Sequence, residues 1–138
     1  MNKINIAVVG LGYVGLSNAV MLAQKNIVTA VDIDIDKVNL INKRKSPLAD
    51  QLMESFLTNK TLDLKATLPS NEIYENSDIA LISTPTNYDE TTHFFNTDSV
   101  EEIIKNALSK NPNITIIIRS TVPVGFTDQM TERYQTND

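Results

Sequence analysis

Three glycines near the start of the chain have the spacing of a phosphate-binding loop. The 138-residue chain contains only four glycines, and Gly10, Gly12 and Gly15 fit the pattern G-x-G-x-x-G. The first permits a tight turn, the second lets a pyrophosphate approach the backbone, and the third lets helix and strand pack closely. The alternative is a glycine turn kept for packing alone. Apolar runs on both sides of the loop favour phosphate binding.

Asp32, at the end of the next apolar run, determines which dinucleotide is expected. A carboxylate there can accept both hydroxyls of an adenosine ribose, whereas a 2′-phosphate would meet its negative charge. The sequence therefore predicts NAD rather than NADP as the cofactor. Lys37 could reach the ribose or the diphosphate, or it is a solvated surface charge. Asp34 and Asp36 are interpreted as solvated acids at a helix start, where either could cap the helix.

Two turns rich in hydroxyl groups follow predicted strands, at 83–87 (Ser-Thr-Pro-Thr-Asn) and 120–125 (Ser-Thr-Val-Pro-Val-Gly). In a doubly wound sheet, ligands bind beyond the carboxyl ends of the strands, where these turns would lie. Proline fixes the backbone, and short hydroxyl side chains can donate and accept hydrogen bonds. From the residues alone, the turns are equally compatible with helix caps. His93 has no paired acid or nucleophile and is expected to be a loop residue.

Apolar periodicity predicts strands that alternate with helices. Strands are predicted at 4–9, 27–33, 62–66, 79–82 and 114–118, and helices at 14–25, 37–44, 52–57, from 98 to about 110, and from 126 onward. Asp98 and Glu101 have the spacing of a capping box. The polar stretch 83–96 is predicted to be a long loop. The alternation predicts an α/β fold of the Rossmann type, with a doubly wound, mostly parallel sheet and helices on both faces.

Composition excludes several classes of function. Twelve Lys and Arg against seventeen Asp and Glu give a net charge of −5, which disfavours nucleic acid as a partner. No apolar run approaches the roughly 18 residues that span a bilayer, so we expect no membrane association and a cytoplasmic location. The chain has no cysteine, which excludes thiolate catalysis and cysteine-ligated metal sites within it. No metal site is predicted.

Three motifs in one order resemble those of a known enzyme family. Gly-Leu-Gly-Tyr-Val-Gly-Leu-Ser occupies 10–17, Thr-Pro-Thr-Asn occupies 84–87, and Ser-Thr-Val-Pro-Val-Gly occupies 120–125. Together they resemble the N-terminal NAD-binding domain of the nucleotide-sugar dehydrogenases, most closely the UDP-glucose 6-dehydrogenases. The resemblance spans essentially the whole chain and implies one NAD-binding domain over 1–138. Enzymes of this family oxidise the C6 alcohol of a UDP-sugar or GDP-sugar to a carboxylate in two NAD-dependent steps.

The resemblance implies roles for residues in the glycine loop and after it. Tyr13 and Val14 would lie along the cofactor diphosphate. Asp32 would bind the adenosine ribose, with Lys37 close to that ribose.

On the nicotinamide side, the resemblance implies contacts from the first hydroxyl-rich turn, through Thr84, Pro85 and Thr86. Thr121 of the second turn would lie beside the reacting carbon and help to order the water used in proton transfer. A hydroxyl can do this as donor and acceptor without adding charge.

The family's catalytic cysteine, its partner residues and the sugar-binding domain are expected to lie beyond Asp138. We therefore expect this chain to bind NAD without useful turnover, because hydride transfer requires the alcohol within about 3–3.5 Å of the nicotinamide. The full-length form is implied to be a homodimer that acts on UDP-glucose, and the 138-residue chain is expected to expose apolar surface and self-associate. Two alternatives are a dehydrogenase for another sugar nucleotide, such as UDP-N-acetylmannosamine or GDP-mannose, and a non-catalytic NAD-sensing module.

Overall fold

A five-stranded parallel sheet lies at the centre of the computed structural model, which describes residues 2–135. The strands in chain order are β1 (Asn5–Val9), β2 (Ile27–Val31), β3 (Leu64–Thr67), β4 (Ile79–Ile82), β5 (Tyr88–Asp89), β6 (Phe94–Phe95) and β7 (Thr115–Ile118). The parallel sheet has the order β3-β2-β1-β4-β7, and β5 and β6 form a separate hairpin. Because the strand order reverses direction at β1, a crevice for ligands is expected at its carboxyl end.

Helices cover both faces of this sheet. They are α1 (Tyr13–Ala23), α2 (Ile35–Asn42), α3 (Gln51–Asn59), α4 (Asp98–Lys110) and α5 (Phe126–Tyr134), with a short 3₁₀ helix at Asn71–Asn76. The first three helices pack on one face, and the 3₁₀ helix, α4 and α5 pack on the other. The predicted doubly wound α/β fold is thereby confirmed. Within residues 2–135, no helix has the length and apolar character needed to cross a membrane.

The central strand β1 shows why the strands are almost continuously apolar. Ile6 and Val8 belong to the core on the α1 side, whereas Ala7 and Val9 belong to the core on the opposite side. A strand buried on both faces is apolar at nearly every position, and in β1 only its first residue, Asn5, is polar. Polar or ligand-binding groups after Asn5 can therefore lie only beyond the end of β1, where the glycine loop begins.

One helix start and one helix cap differ from prediction. The second helix begins at Ile35 rather than 37, because the Asp34 side chain accepts hydrogen bonds from the N–H groups of Asp36 (2.9 Å) and Lys37 (3.4 Å). The predicted capping box at Asp98 is wrong. Asp98 is already helical, and its N–H donates to Oδ1 of Asn96 at 3.0 Å.

The stretch 83–96, predicted to be one long loop, contains the β5–β6 hairpin. Tyr88 pairs with Phe95 across the hairpin, and the centres of their rings are 5.1 Å apart. Oδ1 of Asp89 accepts hydrogen bonds from Thr91 and Thr92 in the turn, at 2.8 and 3.2 Å. Strands of two residues are too short to produce a detectable alternation, which explains the error. The 3₁₀ helix was likewise not predicted.

Two leucines of α3 provide a matched test of the core. Leu57 is 1% exposed, whereas Leu52 in the same helix is 68% exposed. We expect Leu57→Ala to lower the free energy of unfolding by about 2–5 kcal/mol, because it removes buried methyl groups and leaves a cavity. Leu52→Ala should change it by less than about 0.5 kcal/mol. Urea denaturation measures both, and equal effects would contradict this packing of α3.

Candidate cofactor-binding site

A cavity of about 590 Å³ lies at the carboxyl ends of β1, β2 and β4. This volume is within the range of roughly 300–1,000 Å³ that is typical of ligand clefts. Its walls come from the glycine loop, the start of α2, the segment after β3, the turn after β4, and one side of α4. Of the residues predicted to bind the cofactor, the cavity wall includes Gly10, Gly12, Asp32, Lys37, Thr84 and Pro85.

Two of the loop glycines are required by packing within the protein. Gly10 has φ +93°, and a Cβ added there would lie 2.7 Å from the carbonyl carbon and oxygen of Ser83. A Cβ added at Gly15 would lie 1.7 Å from the carbonyl oxygen of Gly10. The loop, the start of α1 and the end of β4 therefore touch through backbone atoms.

Gly12 differs, because a Cβ built there meets no atom of residues 2–135 within 4 Å, its two chain neighbours aside. Its φ of −72° is accessible to any residue, so neither backbone strain nor internal packing requires glycine. Gly12 is the N-cap of α1, and no side chain of the described chain caps this helix. The N–H groups at the helix start are thus left for an anion. These residues fit the diphosphate of a dinucleotide.

Asp32 joins the glycine loop to the start of α2. Its Oδ2 accepts a hydrogen bond from the N–H of Leu11 at 2.8 Å, and its Oδ1 accepts one from the N–H of Asp34 at 2.9 Å. Both bonds hold the carboxylate in the cavity wall, and each oxygen keeps a lone pair for a ribose hydroxyl. Lys37, in the first turn of α2, lines the same cavity.

The side chain of Tyr13 points toward α3 rather than into the cavity. Its hydroxyl donates a hydrogen bond to Oδ2 of Asp50, whose Oδ1 accepts from the N–H of Met53 at 2.8 Å and so caps α3. Tyr13 and Val14 are 62% and 47% exposed, and neither they nor Gly15 belong to the cavity wall. Their predicted place along the diphosphate stays a prediction.

The two hydroxyl-rich turns meet at this edge of the sheet. Ser120 Oγ donates to the carbonyl oxygen of Thr84 at 2.7 Å, and Thr86 Oγ1 donates to the carbonyl oxygen of Thr121 at 2.5 Å. Thr84 Oγ1 also lies 3.1 Å from Oγ of Ser99 in α4. The structure thus brings Thr84, Thr86 and Thr121 together, although Thr86 and Thr121 lie outside the cavity wall.

Sequence reasoning missed a whole wall of the cavity. The segment after β3 contributes Pro69, Ser70, Asn71 and Tyr74, and α4 contributes Ser99, Glu102, Ile103 and Asn106. Burial raises the pKa of the Tyr74 phenol. No motif marks these positions. The available signal was topological, because a third parallel strand that ends before Pro69 must end at the same edge of the sheet as β1 and β2.

Comparison with known proteins assigns the family. Residues 4–138 match the family model described as "UDP-glucose/GDP-mannose dehydrogenase family, NAD binding domain". The chain belongs to this family. NAD is accordingly the cofactor of the domain, which confirms the cofactor prediction.

Relatives and solved structures agree with the family assignment. The chain is 46% identical over 132 residues to a UDP-glucose 6-dehydrogenase of Streptococcus pneumoniae, and 42% identical over 135 residues to one of Campylobacter jejuni. Each alignment covers 96% of this chain but 34% of the relative, so the chain spans about a third of these proteins. A UDP-D-ManNAc dehydrogenase structure from Pyrococcus horikoshii matches 96% of this chain and 32% of its own, with TM-score 0.83 and 26% identity.

The same substitution should destabilise the protein much more at Gly15 than at Gly12. We expect Gly15→Ala to lower the free energy of unfolding by at least about 3 kcal/mol, because the added Cβ collides with the Gly10 carbonyl. Gly12→Ala should leave it within about 1 kcal/mol, since the Cβ enters open space at an accessible φ. Thermal or urea unfolding measures both variants. A greater loss for Gly12→Ala would contradict this account of the loop.

The bond between Tyr13 and Asp50 should be visible in a pH titration. The hydrogen bond to Asp50, and then its negative charge, raise the pKa of the Tyr13 phenol. The hydrogen bond from Tyr13, and then that from Met53, lower the pKa of Asp50. The contact should therefore persist from about pH 4 to about pH 10, be lost as pH rises through the raised phenol pKa, and be lost as pH falls through the lowered carboxyl pKa.

Phenolate absorbance, taken as the difference between the parent chain and Tyr13→Phe, isolates the titration of this residue. Asp50→Asn keeps a capping acceptor for α3 but removes the charge, so it should bring the phenol pKa back toward its usual value of about 10. An unchanged titration in Asp50→Asn would show that Tyr13 does not bind Asp50.

Proposed function

We propose that this chain is the NAD-binding part of a UDP-glucose 6-dehydrogenase, which converts UDP-glucose, two NAD⁺ and water to UDP-glucuronate and two NADH. The open space above Gly12, at the uncapped start of α1 and beside Asp32, carries the proposal for the cofactor half. Identity favours UDP-glucose as the sugar nucleotide. It is 46% and 42% to two UDP-glucose 6-dehydrogenases, against 35% to a GDP-mannose 6-dehydrogenase of Pseudomonas syringae.

Bound NAD would supply the hydride acceptor, and the residues of this chain would hold its two ends. The backbone at Gly12 and the N-terminus of α1 would bind the diphosphate. Asp32 would accept the ribose hydroxyls, and its negative charge would disfavour a 2′-phosphate. Lys37 would lie near that ribose.

The two hydroxyl-rich turns would serve the nicotinamide end. Because the Thr86 hydroxyl hydrogen is donated to the Thr121 carbonyl, Thr86 would offer the cofactor a lone pair, as an acceptor. Thr84 and Pro85 would form the cavity wall at this end. The hydroxyl of Thr121 would help to order the water used in proton transfer.

A second candidate is a dehydrogenase for a different sugar nucleotide. The chain is 37% identical over 138 residues to a UDP-N-acetyl-D-mannosamine dehydrogenase of Campylobacter jejuni. The residues proposed here would serve the cofactor under either candidate and so do not separate the two. A panel of sugar nucleotides assayed with a full-length form for NADH release would separate them. The predicted homodimer and the cytoplasmic location stay predictions.

Calorimetric titration of the 138-residue chain tests the cofactor half directly. We expect NAD to bind, NADP to bind with an affinity at least about tenfold lower, and UDP-glucose not to bind. Gly12→Val should abolish NAD binding while the urea midpoint stays close to that of the parent, because the side chain fills the space left for the diphosphate. Absence of NAD binding, or binding that survives Gly12→Val, would refute the proposed site. Binding of UDP-glucose would show that the sugar site also lies in this chain.

A further inference from the structure

The turn Thr84-Pro85-Thr86 is joined to the turn after β7 by a reciprocal pair of hydrogen bonds. The Ser120 hydroxyl donates to the carbonyl of Thr84 at 2.7 Å, and the Thr86 hydroxyl donates to the carbonyl of Thr121 at 2.5 Å. Each turn thus gives one hydroxyl and one carbonyl to the other. Two such bonds restrain both the separation and the relative rotation of the turns.

Ser120 is well placed to act as the fixed half of this pair. It follows β7 directly, and the N–H groups of Arg119 and Ser120 both donate to the carbonyl of Ile82 in β4, at 2.7 and 3.1 Å. Pairing of β7 with β4 therefore continues to the base of both turns. The Ser120 side chain is half-buried and does not line the cavity.

Apart from the bonds of Ser120 and Thr86, the hydrogen bonds that the described residues make to this turn are longer. Pro85 has no backbone N–H to donate. On the opposite side, the Ser99 hydroxyl of α4 approaches Thr84 Oγ1 at 3.1 Å and the Pro85 carbonyl at 3.4 Å, which are longer contacts than that of Ser120. Without the Ser120 hydroxyl, the Thr84 carbonyl would lose the hydrogen bond that joins it to the turn after β7.

We propose that Ser120 is a positioning residue for the nicotinamide end of the cofactor, and that it acts through the Thr84 carbonyl rather than by touching the cofactor. The inference rests on the proposed function, because it takes the turn at Thr84-Pro85-Thr86 as the nicotinamide side. If Ser120 has this role, loss of its hydroxyl should weaken the binding of the nicotinamide end of NAD alone. The diphosphate and adenosine are held by Gly12 and Asp32, which this change leaves intact.

Comparing the binding of two ligands distinguishes the nicotinamide end of the site from the adenosine and diphosphate end. NAD carries nicotinamide, whereas ADP-ribose has the same adenosine and diphosphate without it. In calorimetric titrations we expect the parent chain to bind NAD more tightly than ADP-ribose. Ser120→Ala should weaken NAD binding by about tenfold and ADP-ribose binding by less than about twofold. Ser120→Thr keeps the hydroxyl and should restore the parent preference.

Ser77→Ala is the matched control. The Ser77 hydroxyl donates to the carbonyl of Ile73 at 2.8 Å, at the amino end of β4 and so at the opposite end of the same strand. Its loss should lower stability without changing the ratio of NAD to ADP-ribose affinity. If Ser120→Ala does not fold, Ser120→Cys keeps a weak donor of similar size and should show a smaller loss confined to NAD.

The possible outcomes test the role of Ser120 separately from the proposed function. A parent chain that binds neither ligand refutes the proposed function. A parent chain that binds both equally refutes the nicotinamide assignment of the turn. An equal loss of both ligands in the Ser120 variants indicates a general structural role, and an unchanged NAD affinity indicates no role. Either of the last two results overturns the positioning role of Ser120.

Discussion

The backbone contact between the glycine loop and the end of β4 determines how the site is arranged. At Gly10 the chain turns with φ +93° against the carbonyl of Ser83, and Gly15 packs on the carbonyl of Gly10 so closely that no side chain fits. This contact brings the start of α1 and the turn after β4 to one point. The diphosphate position proposed at Gly12 and the hydroxyl-rich turn at Thr84 are neighbours for that reason.

Apolar packing and polar contacts make different contributions to this domain, the first to stability and the second to the position of its connecting segments. The apolar cores on the two faces of the sheet supply the stability, because burying one leucine or valine side chain contributes roughly 1.5–3 kcal/mol. A single hydrogen bond contributes a net of only about 0.5–1.5 kcal/mol. The bonds of Asp32 to Leu11 and Asp34, and of Ser120 to Thr84, therefore matter less for stability than for the position of each connecting segment around the cavity.

Much of this arrangement could be predicted from the sequence, because it follows from local patterns. The five central strands, the helices on both faces and the place of Asp32 after β2 follow from apolar runs and from the glycine spacing. The capping box at Asp98 was wrong because Asn96, two residues earlier, supplies the acceptor. The hairpin within 83–96 was missed because its strands have two residues each.

The contacts that complete the site link residues far apart in sequence, and no local pattern reports them. Ser120 and Thr84 are separated by 36 residues, and Tyr13 and Asp50 by 37. Which hydroxyl meets which carbonyl depends on the exact pairing of β4 with β7, which apolar periodicity does not specify. Predicting that Tyr74 lies in the cavity wall would have required the strand order of the sheet.

The central claim is that one cavity, at the carboxyl ends of β1, β2 and β4, holds the cofactor. The most direct test follows the backbone amide chemical shifts of the isotope-labelled chain while NAD is added. If this cavity holds the cofactor, the largest shift changes should cluster at 10–15, 32–37, 83–86 and 120–121. Shifts centred instead on the smaller cavity at the opposite edge, beside Lys3, Gln24 and Asp63, would contradict it.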